Sequence, residues 1–219
     1  QPPVDEFLKI YEELSADHKG IIVSLISSGL SGTVSSAKTA ASMFSKIPVE
    51  VIDTRSTISG LSLINVAIAQ FVEEDKELVE IKNFAEIITQ RLNFFFVVDN
   101  LKYLQKGGRI GGASRYFGTA LSIKPILYLD DQGKIDALDR VRTKRKAIEK
   151  LLELAVEKAA GKPAYISISH ALALEEAMQL QSLLLDQIEC KYMEVTEISP
   201  VIGTHLGSGA LALGIYTLE

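Results

Sequence analysis

Apolar residues recur along the chain in two rhythms, and the change between them divides it into two halves. Val4, Phe7, Leu8, Ile10, Tyr11 and Leu14 give a helical spacing over residues 4–14, entered through Pro2 and Pro3. Residues 21–26 are an apolar, β-branched run that breaks into a Ser/Gly-rich loop and then into a helical pattern over 34–45. A second such run, over 48–53, ends in Asp53-Thr54-Arg55-Ser56-Thr57-Ile58-Ser59-Gly60 before helical patterns over 61–73 and 78–92. Strands and helices in this alternation predict parallel pairing with right-handed crossovers.

Beyond Asn93 the rhythm changes to short strands, predicted over 94–98, 123–129, 134–142, 164–169, 191–198 and 210–217. The turn Asp130-Asp131-Gln132-Gly133 joins two of them as a hairpin. Helices are predicted over 113–122, 143–160 and 172–187, the second capped by Thr143 and stopped at Gly161. The expected fold is α/β in two domains. A parallel domain spans residues 1–92, and an α+β domain with about six mainly antiparallel strands spans 93–219.

Composition adds boundaries rather than identity. The chain has 219 residues, 47% of them hydrophobic and 23% charged, with a formal net charge of −5, so it has no broad basic field and nucleic acid is not expected as a partner. A single cysteine, Cys190, excludes an internal disulfide framework and suits a reducing cytoplasm. No run is long and apolar enough to suggest membrane insertion. The chain opens Gln1-Pro2-Pro3 without Met, and the sequence is expected to be partial.

Candidate chemistry concentrates where strands end. In Ile26-Ser27-Ser28-Gly29-Leu30-Ser31-Gly32-Thr33, two glycines allow close approach to the backbone and the hydroxyls sit just before a helix N-terminus. An anion cradle and a set of caps and turns both fit these residues. The second strand end adds Arg55, so the two loops suggest one shared crevice. Gly107, Gly108, Gly111 and Gly112 surround Arg109, without the spacing of a dinucleotide or phosphate-binding loop. His205, with Thr204 in the stretch 203–209, is read as lying in a Gly-rich loop from which an imidazole could hold a carboxylate. His170, at a strand end, is a weaker candidate, and His18 is expected to be solvated. The histidines lack metal-ligand spacing, and neither a metal nor a cofactor is expected. The basic cluster Arg140, Arg142, Lys144, Arg145 and Lys146 marks either a solvated helix start or a docking patch.

Taken together, the 26–33 loop, Asp53-Thr54-Arg55, Lys106-Gly107-Gly108-Arg109-Ile110, Ile123-Lys124-Pro125-Ile126-Leu127 with Gly133-Lys134, Val141-Arg142 and Ile202 to Gly209 resemble the DegV family along nearly the whole chain. The resemblance implies a two-domain protein that binds a long-chain fatty acid and is not itself an enzyme. It further implies the fatty-acid-binding subunit of a bacterial fatty acid kinase, in which a separate ATP-binding partner phosphorylates the carboxylate to an acyl phosphate. It implies that Ser31 bonds the carboxylate and that His205 approaches from the other domain, with Thr33 and Arg109 available beside them and Ser28 and Thr204 as further candidates. Arg142 is the candidate for partner docking. The family's T-S-Q-P motif begins here at Gln1-Pro2, so its Thr, first strand and first helix are expected to lie before Gln1. Phe94 to Phe96, Leu121 and Ile123 are guesses for the acyl tunnel. An acyl hydrolase using Ser31 as nucleophile and His205 as base is the alternative, although Thr33 replaces the last Gly of the usual elbow and no acid is identified to orient His205.

Overall fold

The period-two and period-3.6 patterns resolve into two sheets and eight α-helices among the described residues, 1–118 and 123–218 of a computed structural model. The first half contains α1 (Val4–Leu14), β1 (Ile21–Leu25), α2 (Thr33–Met43), β2 (Val49–Asp53), α3 (Ile58–Val72) and α4 (Leu78–Arg91). β1 and β2 pair in parallel, Ile21 opposite Val49 and Leu25 opposite Asp53, so both Ser/Thr loops leave the same edge. Phe7 and Tyr11 of α1 are buried against Ala37 and Ala40 of α2, whose small side chains let the two helices lie close.

The second half contains β3 (Asn93–Val97), α5 (Lys102–Lys106), β4 (Lys124–Leu129), β5 (Ile135–Val141), α6 (Lys144–Ala159), β6 (Ala164–His170), α7 (Leu174–Leu185), β7 (Cys190–Glu197), α8 (Pro200–Leu206) and β8 (Leu211–Thr217). Six strands run in the order β5-β4-β3-β8-β6-β7. Every pairing is antiparallel except β6 with β7, which α7 joins as a parallel crossover. Thr143 caps α6 as its sequence implies, its hydroxyl accepting the Lys146 N–H at 3.2 Å.

Two sequence expectations need correction. The helix expected over 113–122 is a 3-10 turn, Gly111–Tyr116, in its described part; residues 119–122, with the tunnel candidate Leu121, lie outside the described residues. His205 is not in a loop but in the last turn of α8, which starts with Pro200 at its first turn and ends at Gly207.

One face of the six-stranded sheet, carrying Phe95, Val97, Ile126, Ile166, Ile168, Leu213 and Ile215, packs beneath α6 and α7 as the largest apolar core. The opposite face meets α3, which crosses β8 at Gly214; a Cβ there would lie 3.0 Å from the Ser59 carbonyl. That close crossing brings the two halves together around a space bounded by α3, α8 and the ends of the strands.

Where β3 ends, Asp99 receives Lys124 at 2.9 Å and Lys144 at 3.3 Å, tying the sheet to the start of α6. Burial alone would raise the Asp99 carboxyl pKa, but the hydrogen bond from Lys124 and the charge of Lys144 outweigh it and hold the group below the usual carboxylate range. A folded value below the unfolded one gives stability that is complete above the unfolded value and lost as pH falls through the folded one. The urea midpoint of wild type minus that of Asp99→Asn is therefore expected to be positive at neutral pH and to shrink towards zero in acid. A difference independent of pH would refute this linkage.

Candidate functional site

The 26–33 loop divides its hydroxyls between scaffold and site. Ser27 is fully buried; its hydroxyl donates to the Gly133 carbonyl at 2.7 Å and accepts the Gly29 N–H at 3.0 Å. Ser28 turns outward to Asp53, donating its hydroxyl at 2.5 Å, while Asp53 also accepts the Arg55 N–H at 3.0 Å. Arg55 reaches across to the Asp131 carbonyl at 3.3 Å. The β4–β5 turn is thus docked onto both loops of the parallel sheet.

Ser31 and Thr33 face the other way. Their hydroxyls are 2.8 Å apart at the start of α2, and both line a cavity of about 870 Å³ between the two halves. Arg109 and His205 line the same cavity from the second half. Arg109 donates through Nε to the Leu30 carbonyl at 3.2 Å and through a terminal nitrogen to the Gly107 carbonyl at 2.6 Å, so it clasps the loops besides lining the site. Among the described residues the buried Nδ1 of His205 has no hydrogen-bond partner; it is packed over Gly107, where a Cβ would lie 2.1 Å from it. The cavity thus gathers two hydroxyls, a guanidinium and an imidazole on a wall that is otherwise mostly apolar, a donor set able to hold a polar head group.

The cavity is apolar over part of its wall, formed by Phe94, Phe96, Leu104, Leu129, Ile135 and Leu206. Its volume falls in the range of small-molecule sites. Phe94 and Phe96 of the tunnel candidates line it, whereas Phe95 is in the core on the opposite face and Ile123 is not among the lining residues. A second cavity of about 420 Å³ shares Leu30, Ser31, Arg109 and Ile135 with the first and is bounded by Ser28, Gly108 and Lys134. Both cations of its wall sit beside glycine backbone, which suits an anion.

The structure therefore brings Ser31, Thr33, Arg109 and His205 to one cavity and leaves two other candidates outside it. Ser28 borders only the second cavity, and Thr204 is exposed, donating back to the Val201 carbonyl at 2.8 Å. His170 is buried and accepts the Ala173 N–H, and His18 is exposed. Arg142 is exposed. Its cluster neighbours are engaged, Arg140 over the Tyr116 ring, Lys144 with Asp99, and Arg145 and Lys146 with Glu149. Among the described residues no group of acidic, His or Cys side chains is arranged for a metal ion, and no helix is long and apolar enough to cross a membrane.

Ile58 and Leu104 escaped the sequence analysis. Ile58 lines the cavity at the start of α3 with φ of 47°, a left-handed conformation that costs a β-branched residue free energy and that no sequence signal announces. Leu104 has a signal in the three-residue spacing from Leu101, the two apolar residues that share one face of this short turn of helix.

The family described as "Uncharacterised protein, DegV family" matches residues 1–218. A DegV domain-containing protein of Streptomyces coelicolor is 36% identical over 215 residues, covering 97% of this chain and 76% of that relative. Among solved structures, a DegV family protein from Thermus thermophilus reported for its fatty acid binding is 30% identical with a TM-score of 0.94, covering 100% of this chain and 78% of that one. DegV of Bacillus subtilis, reported as a fatty acid binding protein, is 33% identical with a TM-score of 0.88, covering 99% and 77%.

Proposed function

Since the chain belongs to the DegV family, we propose that it binds a long-chain fatty acid, with the carboxylate at Ser31, Thr33 and His205 and the acyl chain along the apolar wall. The observation that carries this is a single large cavity lined by the paired Ser31 and Thr33 hydroxyls, Arg109 and His205 together with a long apolar wall. Each buried methylene contributes about 0.8 kcal/mol, so a sixteen-carbon chain gains on the order of 10 kcal/mol before ordering costs. A desolvated carboxylate costs several kcal/mol unless it is hydrogen-bonded, and the two hydroxyls, the imidazole and Arg109 are the groups that offset it.

The finer reading is that the protein presents this carboxylate to a separate ATP-dependent kinase in the cytoplasm. The second cavity supports it, because it adjoins Ser31 and carries Arg109 and Lys134, cations suited to a phosphoryl group. Arg142, the cation of its cluster with no ion pair or ring contact among the described residues, is the docking candidate. In this reading the expected domains, 1–92 and 93–219, carry one sheet each and share the head-group site. A hydrolase is disfavoured: the Ser31 hydroxyl pairs with Thr33 rather than His205, and Nδ1, which a triad acid would hold, rests on Gly107.

Native mass spectrometry of the purified protein followed by lipid extraction tests the binding. A species of fatty acid mass is expected in wild type and is expected to be lost or strongly depleted in Ser31→Ala and His205→Ala. An empty protein that also gives no calorimetric signal with added fatty acid would sink the proposal. For presentation to a kinase, Arg142→Ala is expected to retain lipid binding and lose phosphorylation of the bound acid.

A further inference from the structure

The cavity wall is not apolar all the way round. Across the sheet face that looks towards α3, side chains change character from strand to strand: Phe94 and Phe96 on β3, Ala212 and Gly214 on β8, Ser167 and Ser169 on β6, then Glu194 and Thr196 on β7. Register places these in rows, Phe96 beside Ala212, Ala212 beside Ser169 and Ser169 beside Thr196. Ser169, Thr196 and Ser62 of α3 line the cavity, and so does the exposed Asn65 one turn along α3. A chain of methylenes laid on this wall would cover hydroxyl oxygens without offering a donor to their remaining lone pairs, which is less favourable than covering them with a group that does.

The hydrogen bonds already present define what the wall still offers. Ser62 donates to Glu194 at 2.5 Å, and the same carboxylate receives Ser167 at 2.7 Å and Tyr192 at 2.9 Å. The Ser62 hydrogen is therefore used, and its oxygen remains an acceptor. Ser169 and Thr196 are 2.8 Å apart and share one hydrogen, and the Thr196 hydroxyl also donates towards the Ile168 carbonyl at 3.5 Å, so what remains is acceptor capacity. Asn65 takes the Ser24 hydroxyl on its carbonyl oxygen and keeps its amide hydrogens. Free acceptors with a donor beside them match a ligand hydroxyl, which donates and accepts at once. Ser62, Ser169 and Thr196 stand on α3, β6 and β7, apart from the loop and α8 that carry Ser31 and His205, so this wall faces the acyl chain rather than its head.

We propose that Ser62 and Thr196, the latter held in place by the buried Ser169, form a subsite for a hydroxyl on the acyl chain, so that the ligand class is a hydroxylated long-chain fatty acid. This rests on the fatty-acid reading above. Ricinoleic acid, with a mid-chain hydroxyl, and oleic acid, with the same chain length and double bond, are the probes, titrated calorimetrically into delipidated protein. Wild type is expected to bind ricinoleic acid about fivefold more tightly, the scale of one net hydrogen bond. Ser169→Ala/Thr196→Val removes both members of one pair at once and leaves no orphan, and in it the preference is expected to invert. Ser62→Ala, on a different element, is expected to reduce it in the same direction and serves if the double variant does not fold. Equal affinity for both acids in wild type, or a preference unchanged in the variants, overturns the subsite while leaving fatty acid binding intact. No binding of either acid overturns the fatty-acid reading itself.

Discussion

Gly107→Ala is expected to abolish most fatty acid binding while leaving the fold nearly as stable as before. Gly107 has φ of −76°, a conformation alanine adopts freely, so the backbone itself resists nothing. The added Cβ, however, would lie 2.1 Å from His205 Nδ1 and 2.8 Å from the neighbouring ring carbon. The imidazole is the end of a rotatable side chain, and it leaves its place rather than forcing the backbone apart. A hydrogen bond to a charged group is worth about 1.5–3 kcal/mol, so affinity is expected to fall about ten- to a hundredfold. His205→Ala should lose a similar amount, and the double variant little more than either, because both substitutions remove one interaction. Thermal unfolding of the unliganded proteins separates this from general damage. Wild-type affinity in Gly107→Ala, or additive losses in the double variant, would show that His205 does not hold the carboxylate.

That Gly107 decides the position of His205 could not be read from the chain, where the two are almost a hundred residues apart. What was legible is the alternation of periods: β1, β2 and the six strands of the second half fall within one or two residues of their expected places. The signal for α8 was present too. Ser199 before it, Pro200 at its first position and Gly207 after it are the start and stop pattern of a helix, but Gly203 inside the stretch makes it read as a loop. β6 misleads in a different way. Ile166 and Ile168 alternate with Ser167 and Ser169 as in a half-exposed strand, yet both serines are completely buried. Hydroxyls that face a cavity have the same sequence pattern as hydroxyls that face water. Arg109 was expected as a carboxylate ligand, and its position in the cavity wall allows that, but its bonds to Leu30 and Gly107 carbonyls depend on two loops meeting and have no local sequence signature.

Gly133→Ala is expected to be the most destabilising of the substitutions considered, because the junction between the two sheets leaves no room at this position. Gly133 has φ of 69°, where a side chain costs about 1–2 kcal/mol. In addition its Cβ would fall 1.9 Å from the Ser27 hydroxyl and 3.2 Å from the Arg55 Cα, so the turn must lift and the buried Ser27 bond to the Gly133 carbonyl breaks. Leaving that hydroxyl unsatisfied adds about 1–3 kcal/mol. The sum, about 2–5 kcal/mol, corresponds to a fall in Tm of about 5–15 °C for a chain of this size. Gly161→Ala separates the two contributions, since Gly161 has φ of 76° with nothing within 4 Å of its Cβ position and should show the backbone cost alone. Gly29→Ala attacks the same junction from the other side, its Cβ placed 2.6 Å from the Gly133 carbonyl oxygen and 2.7 Å from that of Gln132, backbone atoms that cannot swing away. Because Gly29 and Gly133 guard one contact, their combined effect is expected to be less than additive. A Gly133→Ala protein no less stable than Gly161→Ala would mean that the turn docks loosely. A lifted turn should also reach the ligand, since Leu129 and Ile135, which end and begin the strands on either side of it, wall the cavity. Faster fatty acid release from Gly133→Ala than from Gly161→Ala is the second expected result, and it ties the junction of the sheets to retention of the acyl chain.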